Sequence, residues 1–254
     1  MSGPLAIDLF CGLGGWTDGL LAEGYDVIGF DITRHVYGEH RYPAQLVVQD
    51  VLTLHGSQFK DAALIVASPP CQEYSYMAMP WKRAKAKAAA IRADTSGKKL
   101  EELNRLFNAT FRIQREASTA AGRHIPLIVE NVRGAIPWVG RSRWNFGSFH
   151  LWGDVPALMP VALNAVKVSG FRFDGSGESF QTASVRQSGL KRPGIKFSEV
   201  GFNVSMARDV AADLKGAKYE RTAEGKRQHI GINRKAASAM IAKIPLPLGQ
   251  FIAA

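Results

Sequence analysis

The chain has 254 residues, 46% of them hydrophobic, and carries 32 Lys plus Arg against 22 Asp plus Glu, a formal charge of +10. This length buries a sizeable core and lies near the size at which single cores begin to split, so one main domain with a smaller appendage is expected. No apolar stretch reaches the roughly 18 residues that span a bilayer, the six histidines are scattered without metal-ligand spacing, and two cysteines, Cys11 and Cys71, are too few for a disulfide framework. The basic excess favours a polyanionic partner, nucleic acid first, against the alternative of plain solubility. The opening Met1-Ser2-Gly3-Pro4 is not signal-like, and a reducing, cytoplasmic setting is expected.

Short apolar runs alternate with helical or turn-like stretches through the first half, the pattern of a parallel sheet built from βαβ units. The first predicted strand, Leu5-Ala6-Ile7-Asp8-Leu9-Phe10, runs into Gly12-Leu13-Gly14-Gly15. Trp16, Leu20 and Leu21 then fall at helical spacing until Gly24 stops the helix. A second strand over 26–30 ends at Asp31, and a third, Gln45-Leu46-Val47-Val48, ends near Asp50. The run Ala63-Leu64-Ile65-Val66-Ala67 reads as a buried parallel strand closed by Pro69-Pro70, since proline fixes φ and cannot donate to a ladder. Cys71 follows at once. Ligands of open α/β sheets bind at the carboxyl ends of strands, so a thiol presented there suits a nucleophile, with a buried structural cysteine as the competing reading.

Residues 82–99 hold seven basic side chains (Lys82, Arg83, Lys85, Lys87, Arg92, Lys98, Lys99) and one acidic, Asp94, and read as a mobile loop or exposed helix. Leu100, Leu103, Leu106, Phe107 and Phe111 recur at three- and four-residue intervals, which predicts an amphipathic helix over 97–121 capped by Thr95 or Ser96. Another apolar run, 125–129, ends at Glu130, so a second reactive group finishes a second strand. Beyond about Leu151 the alternation fades, and 156–230 reads as a small irregular lobe set on a main domain formed by 1–155 and 231–254. Within the lobe, Arg186, Lys191, Arg192 and Lys196 lie in a stretch without acidic residues, a candidate phosphate contact or a solvated loop. A helix is expected over 236–243.

The glycine-rich turn between the first strand and helix brings backbone amides close to a ligand. It lacks the dinucleotide pattern, because Asp18 stands where a third glycine belongs, and it has no P-loop lysine. Asp31, at the end of the second strand, occupies the place where such folds hold ribose hydroxyls, and Asp50 is placed to meet an adenine amino group. A nucleoside-containing cofactor is expected, with NAD and S-adenosylmethionine both open on these residues.

With these residues assembled, the chain resembles the DNA cytosine-5 methyltransferases over most of residues 5–155. Asp8-Leu9-Phe10-Cys11-Gly12-Leu13-Gly14-Gly15 is similar to the family's cofactor motif, and Ser68-Pro69-Pro70-Cys71-Gln72-Glu73-Tyr74-Ser75 to its nucleophile motif. Glu130-Asn131-Val132 is similar to its catalytic glutamate motif, and Arg141-Ser142-Arg143 to the arginine pair that follows. Val139 stands where the family usually has glutamine, and Ile241-Ala242-Lys243-Ile244-Pro245 departs from its final cofactor motif. The short lobe is in keeping with phage- or mobile-element-borne members, whose roles include restriction-modification. The resemblance implies an α/β, Rossmann-like S-adenosylmethionine-dependent methyltransferase sheet with a small target-recognition lobe, acting as a monomer without metal on DNA whose target cytosine is flipped out. It implies Cys71, Glu130, Arg141 and Arg143 as catalytic, with Arg143 and the cofactor lowering the Cys71 pKa. Asp8, Phe10, Gly12, Leu13, Gly14, Gly15, Asp31, Ile32, Asp50, Val51 and Pro70 are implied at the cofactor, and Ser75, Lys82, Arg83, Lys85, Lys87, Arg186, Lys191 and Arg192 on DNA. The rivals are the same chemistry on RNA or a free cytosine nucleotide, a non-catalytic DNA-binding protein on this scaffold, and an NAD-dependent oxidoreductase.

Overall fold

The central sheet runs β5-β2-β1-β6-β7-β9-β8 in a computed structural model that describes residues 3–37, 39–75, 81–146, 149–156, 218–221, 227–230 and 243–254. Its strands are β1 (Leu5–Leu9), β2 (Asp26–Asp31), β5 (Gln45–Val48), β6 (Leu64–Ala67), β7 (Leu127–Asn131), β8 (Trp144–Phe146) and β9 (Phe149–Gly153). The first five in chain order are mutually parallel, while β9 runs antiparallel to β7 and β8 antiparallel to β9. This is a Rossmann-like α/β sheet. Strand order reverses between β1 and β6, which opens a crevice at their carboxyl ends, the usual ligand position in such sheets.

Alternation along the strands sorts side chains to two covered faces. Ile7, Leu9, Ile65, Ala67, Leu127 and Val129 pack with Phe107, Ile113 and Ala117 of α3 (Lys98–Ala121). Ala6, Leu64, Val66 and Ile128 face the other way, against Trp16 and Leu20 of α1 (Gly15–Ala22) and Leu248 of α5 (Leu246–Ala253). Each such fully buried Leu or Ile contributes about 1.5–3 kcal/mol through removal from water. Gly19 lets α5 lie directly on α1: a Cβ there would stand 2.5 Å from the Gly249 Cα.

Several elements differ from the sequence reading. The β2-to-β5 crossover carries no helix but a hairpin of β3 (Val36–Tyr37) and β4 (His40–Arg41). The basic segment takes the helical one of its two expected forms, over α2 (Trp81–Arg92), but with Ala84, Ala88 and Ile91 buried. Gly97, not Thr95 or Ser96, occupies the N-cap position of α3 at φ 73; Ser96 Oγ still accepts from the Lys98 N–H at 3.4 Å, and Asp94 reaches forward to accept from the Lys99 N–H at 2.8 Å. β7 extends through Glu130 and Asn131 because β9 pairs with it there, Glu130 opposite Leu151 and Asn131 opposite His150. The β8–β9 hairpin itself was missed. A short α4 (Ile136–Val139) follows β7, and α5 forms downstream of the expected 236–243 helix, most of which lies outside the described residues. Most of the 156–230 lobe also lies outside them, apart from an antiparallel pair, β10 (Lys218–Arg221) with β11 (Arg227–Ile230).

Candidate active site

The carboxyl ends of β1, β2 and β5 deliver the glycine turn and two aspartates to one side of the crevice. Phe10 at φ 57, Gly12 at φ 52 and Gly14 at φ 76 turn the chain sharply out of β1. The Gly12 N–H donates to Asp31 Oδ2 at 2.9 Å, so the end of β2 fixes the turn. Asp31 Oδ1 also accepts from the Thr33 N–H at 3.3 Å and lies 3.4 Å from His35 Nε2. Asp8 points below the turn, where Thr17 Oγ1 donates to it at 2.6 Å and stands 2.7 Å from the Tyr42 hydroxyl. Burial first, opposed by the Thr17 hydrogen bond and aided by Asp31, pushes the Asp8 carboxyl up to about 7. Gly15 and Leu13 are buried beside it, and Asp50 caps the 3-10 turn at Val51 by accepting from the Leu52 N–H at 2.9 Å.

These residues fit an adenosine-bearing cofactor. Space beyond Gly12 is open, with nothing within 4 Å of where a Cβ would stand. Ile32 is 68% exposed next to the Asp31 carboxylate, so an apolar surface and an acceptor lie side by side.

Across the switch point, β6 ends in Ser68-Pro69-Pro70-Cys71. A turn follows, in which the Tyr74 and Ser75 N–H groups donate to the Cys71 carbonyl at 3.0 and 2.9 Å. Two anchors hold it. Asn131, with no exposed surface, donates from Nδ2 to the Pro69 carbonyl at 2.9 Å. The buried Tyr74 hydroxyl donates to Asn104 Oδ1 of α3 at 3.0 Å, and Asn104 Nδ2 donates to the Trp138 carbonyl at 2.9 Å. Gly134 packs so closely on this turn that a Cβ would overlap the Tyr74 carbonyl oxygen. Cys71 is half-buried, and its thiol is pushed up to about 11, by burial first and then by the charge of Glu130. The lowering expected from Arg143 is not among the influences on it.

Glu130 is 8% exposed, and burial pushes its carboxyl up to about 8 against a hydrogen bond from Ser68 that acts the other way. A carboxylic acid that keeps its proton at neutral pH, on the strand next to the one that presents a cysteine thiol, can donate that proton to a substrate while the sulfur adds to it. A family model described as C-5 cytosine-specific DNA methylase matches residues 5–135, more than half of the chain. The chain belongs to that family.

No curated protein matches it. Among solved structures, a protein described as a DNA modification methyltransferase of an E. coli prophage is similar at 23% identity over 53% of this chain, with a TM-score of 0.34. S. pombe Dnmt2 shares 16% identity over 53% of this chain at a TM-score of 0.32. The chain covers 33% and 36% of those two proteins. The Entamoeba histolytica methyltransferase EhMeth shares 12% identity over 99% of this chain and 97% of its own, at a TM-score of 0.47.

Arg141-Ser142-Arg143 leads into β8. Arg141 and Arg143 have exposed side chains, and the Arg143 N–H donates to the carbonyl of Leu151, the residue opposite Glu130, at 2.8 Å. Between them, Ser142 Oγ lies 2.9 Å from Nδ1 of the buried His150. On α2, Lys82, Arg83 and Lys85 are exposed, whereas Lys87 is paired with Glu73, two residues past Cys71. Arg92 lies over the Trp138 ring at 5.5 Å. Pro70 is exposed, Val51 is buried, and Ser75 is half-buried. Arg186, Lys191 and Arg192 lie outside the described residues. Among the described residues a cleft of about 440 Å3 runs along α3 between Lys98, Glu101, Arg105 and Arg112, and holds none of the site residues. Asn131, Gly134, Tyr42, Thr17 and His35 were missed as site residues. Polar groups on apolar runs were the only available signal, visible for Asn131 at the end of Leu127-Ile128-Val129.

Proposed function

We propose that the protein transfers a methyl group from S-adenosylmethionine to C5 of cytosine in DNA, with residues 1–155 and 231–254 as catalytic domain and 156–230 as target-recognition region. One observation carries this reading: half-buried Cys71 follows β6 and buried Glu130 lies at the end of the neighbouring parallel strand β7, both at the carboxyl edge beside the switch point of the sheet. Phe10, Gly12, Leu13, Gly14 and Gly15 would hold the cofactor, with Asp31 serving its ribose hydroxyls, Ile32, Val51 and Pro70 its base, and Asp50 its adenine amine. Asp8 holds the turn from below. When bound, S-adenosylmethionine supplies an electrophilic methyl group and a sulfonium charge.

Cytosine C5 is a poor nucleophile until the ring is made electron-rich. Cys71 loses its proton to solvent and its sulfur bonds to C6. The C5–C6 π pair shifts toward C4, the C4–N3 π pair moves onto N3, and N3 takes the proton from Glu130. The resulting enamine carbon is the methyl acceptor. Loss of the C5 proton to a base then expels the Cys71 sulfur, and N3 returns its proton to Glu130. Arg141 and Arg143 brace the base, its phosphate or Glu130. A base inside a duplex is out of reach, so the target cytosine is flipped out at a cost of a few kcal/mol. Lys82, Arg83 and Lys85 of α2, Ser75, and Arg186, Lys191 and Arg192 contact the DNA backbone. The two free cysteines suit the reducing cytoplasm of a bacterial or phage-infected cell.

The test is sequencing of methylated cytosines in host DNA after expression of the wild-type chain and of Cys71→Ser. New 5-methylcytosine in a defined context, absent from the variant, supports the reading. Unmethylated DNA alongside methylated RNA or dCTP in vitro shifts it to the alternative substrates.

A further inference from the structure

We propose that Ser68 is a positioning residue for Glu130, itself held by the indole of Trp16, so that a hydrogen-bond chain crosses the switch point from the cofactor turn to the catalytic carboxyl. The inference rests on the reading of Glu130 as the proton donor to cytosine.

The three residues come from three elements and share one face of the sheet. Leu64 and Val66 of β6 point toward α1, and Ser68 continues that alternation past the strand end; Ile128 of β7 does the same, and Glu130 follows it. Trp16, in the first turn of α1 and 2% exposed, donates from Nε1 to Ser68 Oγ at 3.0 Å. Ala67 of β6 is the register partner of Val129 of β7, so Ser68 and Glu130, the next residue of each, stand side by side, and the Ser68 side chain is the influence that holds the Glu130 carboxyl down against burial. Donor arithmetic allows two arrangements. An indole N–H only donates, while a hydroxyl has one proton and two lone pairs. With Trp16 on one lone pair, the single Ser68 proton is free to go to a Glu130 oxygen, which leaves the other carboxyl oxygen to carry the transferable proton. The opposite arrangement, in which Glu130 donates its own proton to the second lone pair of Ser68, would withdraw that proton from the substrate.

Titratable groups on the elements around Glu130 are Asp8 on β1, Cys71 after β6, Arg133 after β7, Arg143 before β8 and His150 on β9; α3 presents apolar side chains to β7. None of the five contributes to the Glu130 shift. The two arrangements are therefore separable by the sign of one substitution. A donating Ser68 favours the carboxylate, so Ser68→Ala raises the Glu130 pKa. An accepting Ser68 favours the acid, so the same change lowers it.

The experiment is carbon-13 NMR of the Glu130 carboxyl across pH 5–10 in the full chain without added ligand, with the Trp16 indole N–H followed in the same samples and assigned by Trp16→Phe. The wild-type midpoint is expected near 8. Ser68→Ala should raise it by about one pH unit, as removal of one hydrogen bond to a charged group implies, and Ser68→Thr should restore it. The Trp16 indole resonance should move with that midpoint in wild type and stay flat in Ser68→Ala and Glu130→Gln. A lowered or unmoved midpoint in Ser68→Ala, or an indole resonance flat in wild type, overturns the proposal. Methyl transfer is scored separately. Expected NMR results without transfer to any cytosine remove the proposed function and keep the chain of hydrogen bonds; transfer with failed NMR results removes the chain alone.

Discussion

Asn131→Ala tests how the nucleophile is held. The side chain has no exposed surface, donates to the Pro69 carbonyl at 2.9 Å and accepts from the Val132 N–H at 2.8 Å. Truncation leaves two backbone groups without these partners, each at about 1–3 kcal/mol when buried, so the expected loss is roughly 2–6 kcal/mol. For a chain of this size each kcal/mol lowers Tm by about 2–4 °C, which puts the drop at roughly 4–24 °C. Pro69 lies two residues before Cys71, and a misplacement of a reacting group by about 1 Å costs on the order of 100-fold in rate. The assay is thermal denaturation together with single-turnover methyl transfer to duplex DNA below the new transition. A Tm within about 2 °C of wild type with an unchanged single-turnover rate refutes the argument that Asn131 pins the loop.

Gly134→Ala forces a Cβ onto the Tyr74 carbonyl oxygen, and should cost about 1–3 kcal/mol by denaturant unfolding, with a larger loss in kcat than in cofactor affinity. Glu130 has a folded pKa near 8 against an ordinary value of 4.5, so its stabilising contribution is complete below about 4.5 and is lost as pH rises to about 8. Urea unfolding should therefore show Glu130→Gln with a shallower fall in stability over that window, the remaining slope coming in part from Asp8, which is raised to about 7. Asp31→Ala removes the acceptor of the Gly12 N–H and should weaken S-adenosylmethionine binding by about 10- to 100-fold in calorimetry. Neutralising Lys82 and Arg83 should reduce the salt slope of DNA binding by about one per charge, whereas Lys87→Gln, already paired with Glu73, should change it less.

The reading of the sequence was strongest where one residue's chemistry decides the local chain path. Proline at 69 and 70 stops β6 and positive-φ glycines turn the chain after β1, so the nucleophile loop and cofactor turn were visible as spacing. Strands buried on both faces were visible as continuous apolar runs. The β8–β9 hairpin was not, because Trp144-Asn145-Phe146 becomes a strand only by pairing with β9, and β9 only by lying against β7. That pairing also carries β7 through Glu130 and places the acid inside the sheet, which no local pattern indicated. The high thiol pKa of Cys71 escaped for the same reason: sequence motifs suggested a neighbouring cation, but burial and Glu130 dominate. Asn131 and Ser68 hold the site through partners 62 residues away in the first case and 52 in the second, separations across which periodicity carries no information.

The central claim is a transient bond between the sulfur of Cys71 and C6 of cytosine. Its most direct test is incubation of the purified protein with S-adenosylmethionine and DNA carrying 5-fluorocytosine at the target, since fluorine in place of the C5 proton blocks the final elimination. The account predicts a denaturation-resistant protein–DNA adduct whose mass includes one methyl group, mapped to Cys71 by peptide sequencing and absent from Cys71→Ser. Methyl transfer to ordinary cytosine by the same preparation with no adduct on the fluorinated base, or an adduct mapped to another residue, contradicts it.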